Sequence, residues 1–560
     1  MYASSRNRRQ LRRVALAGAI GLAFVATASQ AAVSQSPERK NMQRSGHTDL
    51  QGRPSYQPNV IQYPNGRWYL FVGQHSGVPV QAGCADDRLL PNPLNGNACE
   101  NNGTMIIDVT DVNNPVEKFL IPAPLGGQAQ MTRMCRASKL PNAPHTSPER
   151  VYLLRNVQAN DPTISGYEVW DVTDPTAPFM TSSINHIRNT HKDWWECDTG
   201  IVYAPGSRDA TLTSTPWRQG QAMLILDWSN PTAAPHFVRQ FGLPGGQPNG
   251  TGTIPNSLHG AISTEEHPMK GQPLARAAGP DDVIGNRIYA AWGVGDDGIM
   301  TIIDRKKLLP PPWGTWEPKK SDSAENPDED ELIGPDSPTV GYFMMSPDEG
   351  GHTSMPVFGL KPKSFQKFNE FATRDIVVLA SEATADGREG RCNEAPHATY
   401  IVDVTVENSI TSPPGTRVEH DPYQGPMVNS TLWVDPTFGE RYPRGNYCAR
   451  GARFGTHSSE ENFDQPLYGK LTAIAYFNGG VRIYDIREPY LPRQVAFYVP
   501  FANAKTDPDG YMTNNVEIDK RGNVYIVDRN GAGMDILQLT GCALTIENSN
   551  NPNASCPAIQ

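Results

Sequence analysis

The feature that most constrains the fold is an apolar, β-branched run ending in Asp, which recurs along the chain. A second apolar strand precedes each copy, and in four copies a turn containing Pro and a further strand follow. Four antiparallel strands repeated at intervals of 52 to 99 residues are typical of a β-propeller. We therefore predict seven blades, six of them marked by an aspartate and the seventh by the weaker run 534–537: Asp108, Asp171, Asp227, Asp304, Asp403 and Asp485.

The composition agrees with an all-β fold. Gly and Pro contribute 50 residues each to a chain of 560, a density that argues against a helical bundle, while 38% hydrophobic residues suffice for a core. We expect a seven-bladed β-propeller of four-stranded antiparallel blades over residues 51–541, an N-terminal extension over 32–50 and a C-terminal tail over 542–560. The net charge of −10 argues against nucleic acid as a partner.

The first 31 residues have the pattern of a signal peptide. Five arginines precede an apolar stretch over residues 14–28, which is followed by small residues. About 15 apolar residues are short for a bilayer span, so cleavage and export are expected rather than anchoring. The prediction is a periplasmic or secreted protein with no membrane span in the mature chain; the sequence leaves open whether export follows the general or the twin-arginine route.

Two copies of the repeat resemble a known family. The runs Met105–Asp111 (MIIDVTD) and Tyr167–Pro175 (YEVWDVTDP) are similar to those of the LVIVD-repeat proteins, exported bacterial β-propellers. The resemblance extends over most of the mature chain, although copies four, five and seven lack the Asp-x-Pro turn. It implies the propeller fold and export, and it implies no particular activity because the family is functionally diverse.

The recurrent aspartates are expected to be structural. An Asp at a strand end, just before a Ser, Thr or Asn turn, can accept local backbone N–H groups and fix an Asx-type turn. We therefore do not assign them to a catalytic site.

Three histidines are the main candidates for chemistry. His259, His352 and His457 lie at or near the starts of the predicted inner strands of blades four, five and six. Equivalent positions in a propeller face the central channel, so side chains about 100 residues apart are brought together. Converging imidazoles suit a divalent or transition metal ion, with Cu, Zn, Fe or Mn as alternatives. They could equally form hydrogen bonds to loop backbone or line a watery channel, and the sequence leaves this open.

Two residues are candidates for a catalytic role beside that metal. His397 opens a third strand that faces the same side, and Glu196 lies just ahead of the inner strand of blade three, close to His191. Glu460 and Glu461 follow His457 and are expected mainly to be solvated, with a metal ligand, a base or a hydrogen-bond partner of a ligand as alternative roles. Weaker candidates occupy turns on the same face: His75, Asp296, Asp297, Glu382, Asp528 and Arg529.

The predicted function is an exported propeller whose histidine-lined face binds a metal ion and binds or acts on a small molecule. The alternative is a non-enzymatic binding or scaffold propeller that recognises a protein or a glycan. Whether the chain is an enzyme stays open; a catalytic form would be a metal-dependent oxidoreductase or hydrolase. The sequence has no GxSxG, HExxH or Walker motif.

The eight cysteines contain no CxxC pair, which argues against a zinc ribbon or a thioredoxin-like motif and favours disulfides in an oxidising compartment. The blade topology suggests which residues pair. The four predicted bridges are Cys84–Cys99, Cys135–Cys197, Cys392–Cys448 and Cys542–Cys556.

Overall fold

The computed structural model divides the chain into residues 1–36 and 37–560, and the residues it describes all lie in the second unit. The predicted leader, residues 1–31, lies outside them. The described residues are 38–76, 84–86, 88–209, 211, 217–277, 279–295, 297–317, 332, 337–363, 373–382, 392, 397–407, 425–508, 510–549, 551 and 553–559.

The described strands form seven antiparallel sheets of at least four strands, in agreement with the predicted seven-bladed propeller. The chain opens with β1 (Glu38–Lys40) and β2 (Met42–Thr48). Blade one contains β3 (Ser55–Gln62), β4 (Trp68–Gln74), the excursion β5 (Leu90–Asn92) and β6 (Ala98–Glu100), then β7 (Gly103–Asp108) and β8 (Val116–Pro122). Blade two contains β9 (Gly127–Gln128), β10 (Arg133–Arg136), β11 (Val151–Ala159), β12 (Gly166–Asp171) and β13 (Phe179–Asn185).

Blades three to five follow in the same order. Blade three contains β14 (Ile187–Arg188), β15 (Trp194–Trp195), β16 (Ile201–Arg208), β17 (Ala222–Asp227) and β18 (His236–Phe241). Blade four contains β19 (Leu258–Ser263), β20 (Arg287–Trp292), β21 (Ile299–Asp304), the short helix α1 (Arg305–Leu308) and β22 (Thr339–Met344). Blade five contains β23 (Gly351–Leu360), β24 (Arg374–Ser381), β25 (Thr399–Asp403) and β26 (Met427–Leu432).

The last two blades complete the ring. Blade six contains β27 (Ser458–Ser459), β28 (Leu471–Ala475), β29 (Val481–Asp485) and β30 (Arg493–Val499). Blade seven contains β31 (Thr513–Ile518), β32 (Val524–Asp528) and β33 (Met534–Leu539), after which α2 (Gly541–Asn548) ends the described secondary structure.

Blade seven takes its fourth strand from the N-terminus. β2 pairs with β33 in antiparallel register from Met42↔Leu539 to Thr48↔Met534, and β1 adds to the outer edge of blade six by pairing with β30. Residues 38–48 are therefore part of the propeller, whereas the sequence pattern set them apart within an extension. The physical reason is that the last repeat supplies three strands, and the exposed edge of β33 needs a partner.

The apolar core lies between neighbouring blades. At the junction of blades seven and one, for example, Leu70 and Met105 pack with Val527 and Ile536, all of them fully buried or nearly so. These clusters pack each sheet against the next, so that the inner strands are arranged around a common axis. Among the described residues, no helix has the length and apolarity that crossing a membrane would require.

The motif aspartates adopt the structural role predicted for them. The carboxylates of Asp108, Asp171, Asp227, Asp403 and Asp485 each accept the backbone N–H of the residue two positions on, at 2.9 to 3.2 Å. In the remaining copy, Asp304 accepts the N–H of Lys307 and so caps α1. The same carboxylates also attract arginines, as in the ion pair between Asp171 and Arg150.

All four predicted disulfides are present. Cys84–Cys99 ties the excursion of blade one, Cys135–Cys197 joins blades two and three, and Cys392–Cys448 fastens the connection between blades five and six. Cys542–Cys556 closes the C-terminal tail.

We expect Asp171→Asn to lower the free energy of unfolding by about 1–3 kcal/mol, because the buried carboxylate loses its charge opposite Arg150. Asp174→Asn is the matched control: this exposed carboxylate accepts the N–H of Thr176 in the next turn, and a smaller loss is expected. Chemical denaturation measures both. Equal losses for the two variants would contradict the assignment of the buried Asp–Arg pair to stability.

Candidate metal centre

The propeller topology gathers two kinds of position on one face, here called the histidine face. These are the starts of the inner strands and the ends of the second strands. Tyr56 and His259 lie near the starts of β3 and β19, and Glu382 follows the end of β24. Side chains from distant parts of the sequence therefore converge near the propeller axis.

Four imidazoles form a continuous arc on this face. His191, His259, His352 and His457 come from successive blades three to six, and their adjacent ring centroids are 4.5, 3.9 and 4.2 Å apart. The structure thus brings together the three histidines that the sequence assigned to a metal, with His191 as a fourth.

The Nδ1 atoms of these histidines are bonded on the outside of the arc. His259 Nδ1 donates to the carbonyl of His352 at 2.9 Å, and His457 Nδ1 donates to the carbonyl of Asn514 at 2.7 Å. His191 Nδ1 is 2.9 Å from Gln130 Oε1. Since a carbonyl oxygen can only accept, the proton lies on Nδ1 and the Nε2 lone pair is left for the interior.

The four Nε2 atoms differ in their hydrogen bonding. Those of His259 and His457 are buried without a hydrogen-bond partner. The hydroxyl of Tyr56 lies 3.2 Å from His191 Nε2 and 3.3 Å from His352 Nε2. The phenol can donate to His191 Nε2 and accept from His352 Nε2, so these groups can satisfy one another, whereas Nε2 of His259 and of His457 remain buried acceptors that a cation would satisfy.

Burial keeps these imidazoles neutral. Desolvation, followed by the charge of Lys192, lowers the pKa of His191 to about 3. Desolvation is also the largest cause of the lowered pKa values of His259, His352 and His457, which fall well below the ordinary value. Neutral imidazole is the form that ligates metals.

Glu382 supplies a carboxylate to the same cluster. Ligand atoms of His259, His352 and Glu382 all lie within 4.8 Å of one another, so one ion could contact all three. The Glu382 oxygens lie 4.0 Å from His352 Nε2 and 3.7 Å from His457 Nε2. Two imidazoles and one carboxylate are a common ligand set for transition metals in proteins.

Two arginines border this cluster on the solvent side. Arg453 NH1 lies 3.1 Å from Glu382 Oε1, and Arg529 NH1 lies 3.7 Å from the same oxygen. Arg529 NH2 also donates to His75 Nε2 at 2.9 Å. The guanidinium groups of Arg453 and Arg529 thus lie beside the Glu382 carboxylate, and that of Arg529 lies near the ring of Tyr56.

A buried ion network lies behind the histidines. Lys192 and Arg133 both pair with Glu461, and Lys192 Nζ donates to Thr353 Oγ1 at 3.0 Å. The Thr353 hydroxyl in turn lies 2.8 Å from His352 Nδ1. Burial alone would raise the pKa of Glu461, but the two cations outweigh it and hold the pKa below its ordinary value.

The expectation that Glu460 and Glu461 are solvated is wrong. Both are buried, Glu461 in the network just described and Glu460 against Thr472 Oγ1 and the Ala473 N–H. The reason is that pairing with β28 continues past Ser459, since the Glu460 N–H donates to the Ala473 carbonyl at 3.1 Å, so the chain does not enter a surface loop at this point.

The two candidates for catalysis lie apart from this arc. His397 Nδ1 is 2.9 Å from Ser381 Oγ and 3.7 Å from Glu349. Glu196 is fully buried in a bidentate pair with Arg305, at 2.7 and 2.6 Å, and it also accepts from Ser263. The structure does not bring Glu196 to the histidines, because its carboxylate is engaged by the cation that begins α1.

Sequence reasoning missed Tyr56 and Lys192. Tyr56 opens the inner strand of blade one, so the argument that placed His259 on the histidine face applies to it equally. Lys192 directly follows His191, and no role was predicted for it. Glu382, Arg529 and His75 were recognised only as residues of the same-face turns.

No protein-family model and no curated protein sequence matches the chain. Solved structures similar to it include the Dos1 propeller, at 9% identity and a TM-score of 0.39 over 90% of this chain and 96% of that one. Sqt1 from Chaetomium thermophilum has 10% identity and a TM-score of 0.39 over 90% and 100%, and Kuenenia stuttgartiensis hydrazine synthase has 9% and 0.35 over 71% and 76%. Likenesses this distant carry no argument about function; the seven-bladed fold is read from the strand pairing.

We expect Glu461→Gln to lower the free energy of unfolding by about 3–5 kcal/mol, because Lys192 and Arg133 lose their shared buried counter-ion. Lys192→Met should cost less, since Arg133 keeps its pair with Glu461. In the Lys192→Met background the cost of Glu461→Gln should shrink, as one cation fewer is left unpaired. Urea denaturation of the single and double variants measures this coupling, and the exposed Glu440→Gln is the control. Additive losses would contradict the network.

Proposed function

We propose that this chain is an exported β-propeller metalloprotein that binds one transition-metal ion on its histidine face and acts on a small molecule there. The ligands would be Nε2 of His259 and of His352 and the carboxylate of Glu382. His457 and His191 would complete the donor arc.

The observation that supports this proposal is the surplus of buried lone pairs. Nε2 of His259 and of His457 are buried and have no hydrogen-bond partner, while their Nδ1 atoms donate to backbone carbonyls. Unsatisfied buried acceptors cost about 1–3 kcal/mol each, so a fold that collects several at one point needs a compensating ligand. A metal ion held by His259, His352 and Glu382 would satisfy the lone pair of His259 directly and would place a positive charge close to that of His457.

The donor types favour a particular class of ion. Neutral imidazole suits Cu, Zn, Fe and Mn, whereas Ca²⁺ and Mg²⁺ prefer oxygen ligands. The Nδ1 hydrogen bonds to the His352 and Asn514 carbonyls hold the rings of His259 and His457 in place, as outer hydrogen bonds do for metal-bound histidines. This supports a preorganised centre.

When bound, the metal would supply a Lewis acid or a redox centre. The chain's own residues would control what reaches it. The imidazoles are almost completely buried, so bulk water is kept away from the ligand nitrogens. Tyr56 offers a hydroxyl beside the donor arc, and the guanidinium groups of Arg453 and Arg529 lie beside the carboxylate of Glu382.

Export and the LVIVD-repeat relationship belong to the same proposal. Four disulfides are consistent with an oxidising compartment such as the periplasm or the extracellular space. The repeated Asx turns after β7 and β12 support the relationship, because they occur at the two runs that carry the resemblance.

We expect protein purified from the periplasm and reconstituted with Cu²⁺, Zn²⁺, Fe²⁺ or Mn²⁺ in turn to retain about one equivalent of a transition metal after desalting. His352→Ala should reduce the bound metal at least tenfold, because it removes a central ligand while the folded propeller persists. Elemental analysis measures the metal, and circular dichroism confirms the fold.

His236→Ala is the matched control, since His236 lies exposed at the start of an outer strand, and its metal content should equal that of the wild type. Less than about a tenth of an equivalent for every metal tested would defeat the proposal. That result would favour the alternative, a propeller whose loops recognise a protein or a glycan.

A further inference from the structure

We propose that Tyr56 is a ligand of the metal ion, bonded through its phenolic oxygen, and that the centre therefore holds copper as Cu²⁺ or iron as Fe³⁺. The inference rests on the proposed function, because it adds a ligand to the same centre. It is carried by the place of Tyr56 in its strand and by the distances around its hydroxyl.

Tyr56 occupies the position in blade one that the histidine ligands occupy in blades four and five. The pairing of β19 with β20 skips His259, and the pairing of β23 with β24 skips His352, because the register shifts at these residues. The pairing of β3 with β4 shifts in the same way at Tyr56 and Gln57. A bulge releases a residue from the regular ladder, and bulges recur next to active sites, where they re-aim a side chain. The same backbone feature thus presents the phenol and the two imidazoles at one site.

The phenolic oxygen lies at ligand spacing from two imidazole nitrogens. Tyr56 Oη is 3.2 Å from His191 Nε2 and 3.3 Å from His352 Nε2. Two ligand atoms bonded at about 2 Å to one tetrahedral ion are separated by about 3.3 Å. The Glu382 oxygens are farther from the imidazoles, at 4.0 Å from His352 Nε2 and 3.7 Å from His457 Nε2. The phenol is therefore closer than the carboxylate to the spacing that a shared ion requires.

The ring of Tyr56 is held in place by three imidazoles. Tyr56 is 2% exposed, and its ring centre lies 5.4 Å from that of His191 and 5.5 Å from that of His457, in edge contacts. His75 stacks on the ring at 6.0 Å. These contacts fix the hydroxyl between the two nitrogens, as outer contacts orient the ligands of metal centres.

In the metal-free protein the same oxygen joins a chain of hydrogen bonds. Lys192 donates to Thr353 Oγ1 at 3.0 Å, and the Thr353 hydroxyl can donate to His352 Nδ1 at 2.8 Å. His352 Nε2 then donates to Tyr56, and Tyr56 donates to His191 Nε2. Every group in the chain is satisfied in this arrangement.

Ligation replaces the last two of these hydrogen bonds. Tyr56 Oη forms a bond with the ion, and the phenolic proton leaves to solvent. The His352 proton moves from Nε2 to Nδ1, where Thr353 Oγ1 accepts it. One proton is released for each ion bound, and the step needs no oxidant or reductant.

The phenolic oxygen narrows the choice of ion. Imidazole alone suits Zn, Cu and Fe equally well, and Cu²⁺ binds most strongly among the divalent ions to a given set of donors. A phenolate is an anionic oxygen donor, which stabilises the more highly charged state of a redox metal. Tyr56 therefore favours Cu²⁺ and Fe³⁺.

The test uses the full mature chain loaded with Cu²⁺ and, in a second preparation, with Fe²⁺ that ferricyanide then oxidises to Fe³⁺. A phenolate bound to either ion gives a visible charge-transfer band, and resonance Raman excitation in that band enhances the ring vibrations of the tyrosine. We expect the band with each ion that is retained, and a shift of those vibrations in protein made with ring-deuterated tyrosine. This measurement needs no variant. An ion retained without such a band overturns the proposal.

Variants identify the tyrosine. Tyr56→Phe keeps the ring and removes the oxygen, so the band should be absent and the Cu²⁺ affinity should fall at least about tenfold. Tyr289→Phe is the matched control, because Tyr289 is fully buried between blades four and five and its hydroxyl has no hydrogen-bond partner. Its band and affinity should equal those of the wild type. Circular dichroism confirms the fold of both variants, and a band that persists in folded Tyr56→Phe overturns the assignment.

The possible failures are distinguishable. Cu²⁺ or Fe³⁺ retained without a phenolate band overturns the role of Tyr56 and leaves the centre of His259, His352 and Glu382 intact. Retention of Zn²⁺ or Mn²⁺ alone has the same consequence. Failure of the wild type to bind any transition metal overturns the proposed function, and the tyrosine ligand falls with it.

Discussion

The pairing of β2 with β33 is the interaction on which the rest of the structure depends. It joins the two ends of the chain into one sheet and removes the open edge that blade seven would otherwise present. The histidine face is assembled from both sides of this closure, with Tyr56 from blade one and Arg529 from blade seven. If the ring were open, no local segment of the chain would fix the distance between Tyr56 and Arg529.

The closed ring lets the fold hold an arrangement that is unfavourable in itself. The Nε2 atoms of His259 and His457 have no hydrogen-bond partner and are buried near the axis, where desolvation penalises unpaired polar atoms. The apolar clusters between blades provide the stability that offsets this cost, and they do so away from the axis. Buried polar atoms without partners, in a fold that is otherwise well packed, are expected at functional sites.

The blade count, the motif aspartates and the disulfides could be predicted from the sequence, because each depends on a local pattern or on the order of strands. The Asx turn at Asp171, for instance, needs only the residues next to it. The outer strand of blade seven could not be read in this way, since β2 pairs with a segment almost 500 residues away and has no copy of the motif. The indication in the sequence was that the last repeat has three strands instead of four and therefore needs a fourth strand from elsewhere.

For the candidate site, the topology correctly indicated that His259, His352 and His457 share one face, because inner-strand starts are equivalent from blade to blade. Rotamers and hydrogen bonds are not fixed by topology, so the preference for Glu382 over Glu196 could not be predicted. Glu196 has the right position in its blade, but Arg305 of the next blade engages both of its oxygens. Which carboxylate is left for a metal therefore depends on a tertiary contact.

The histidine face divides into two unlike halves. Blades three to six supply the four imidazoles, and blades seven and one supply Arg529, His75 and Tyr56, which donate or organise hydrogen bonds. A ring of identical blades would give a symmetric site with no preferred direction for a ligand. Among the described residues, the imidazole arc lies in one half of the ring, whereas the phenol of Tyr56 and the guanidinium of Arg529 lie in the other half. The departure of individual blades from the repeat thus gives the site an orientation that the repeat alone does not have.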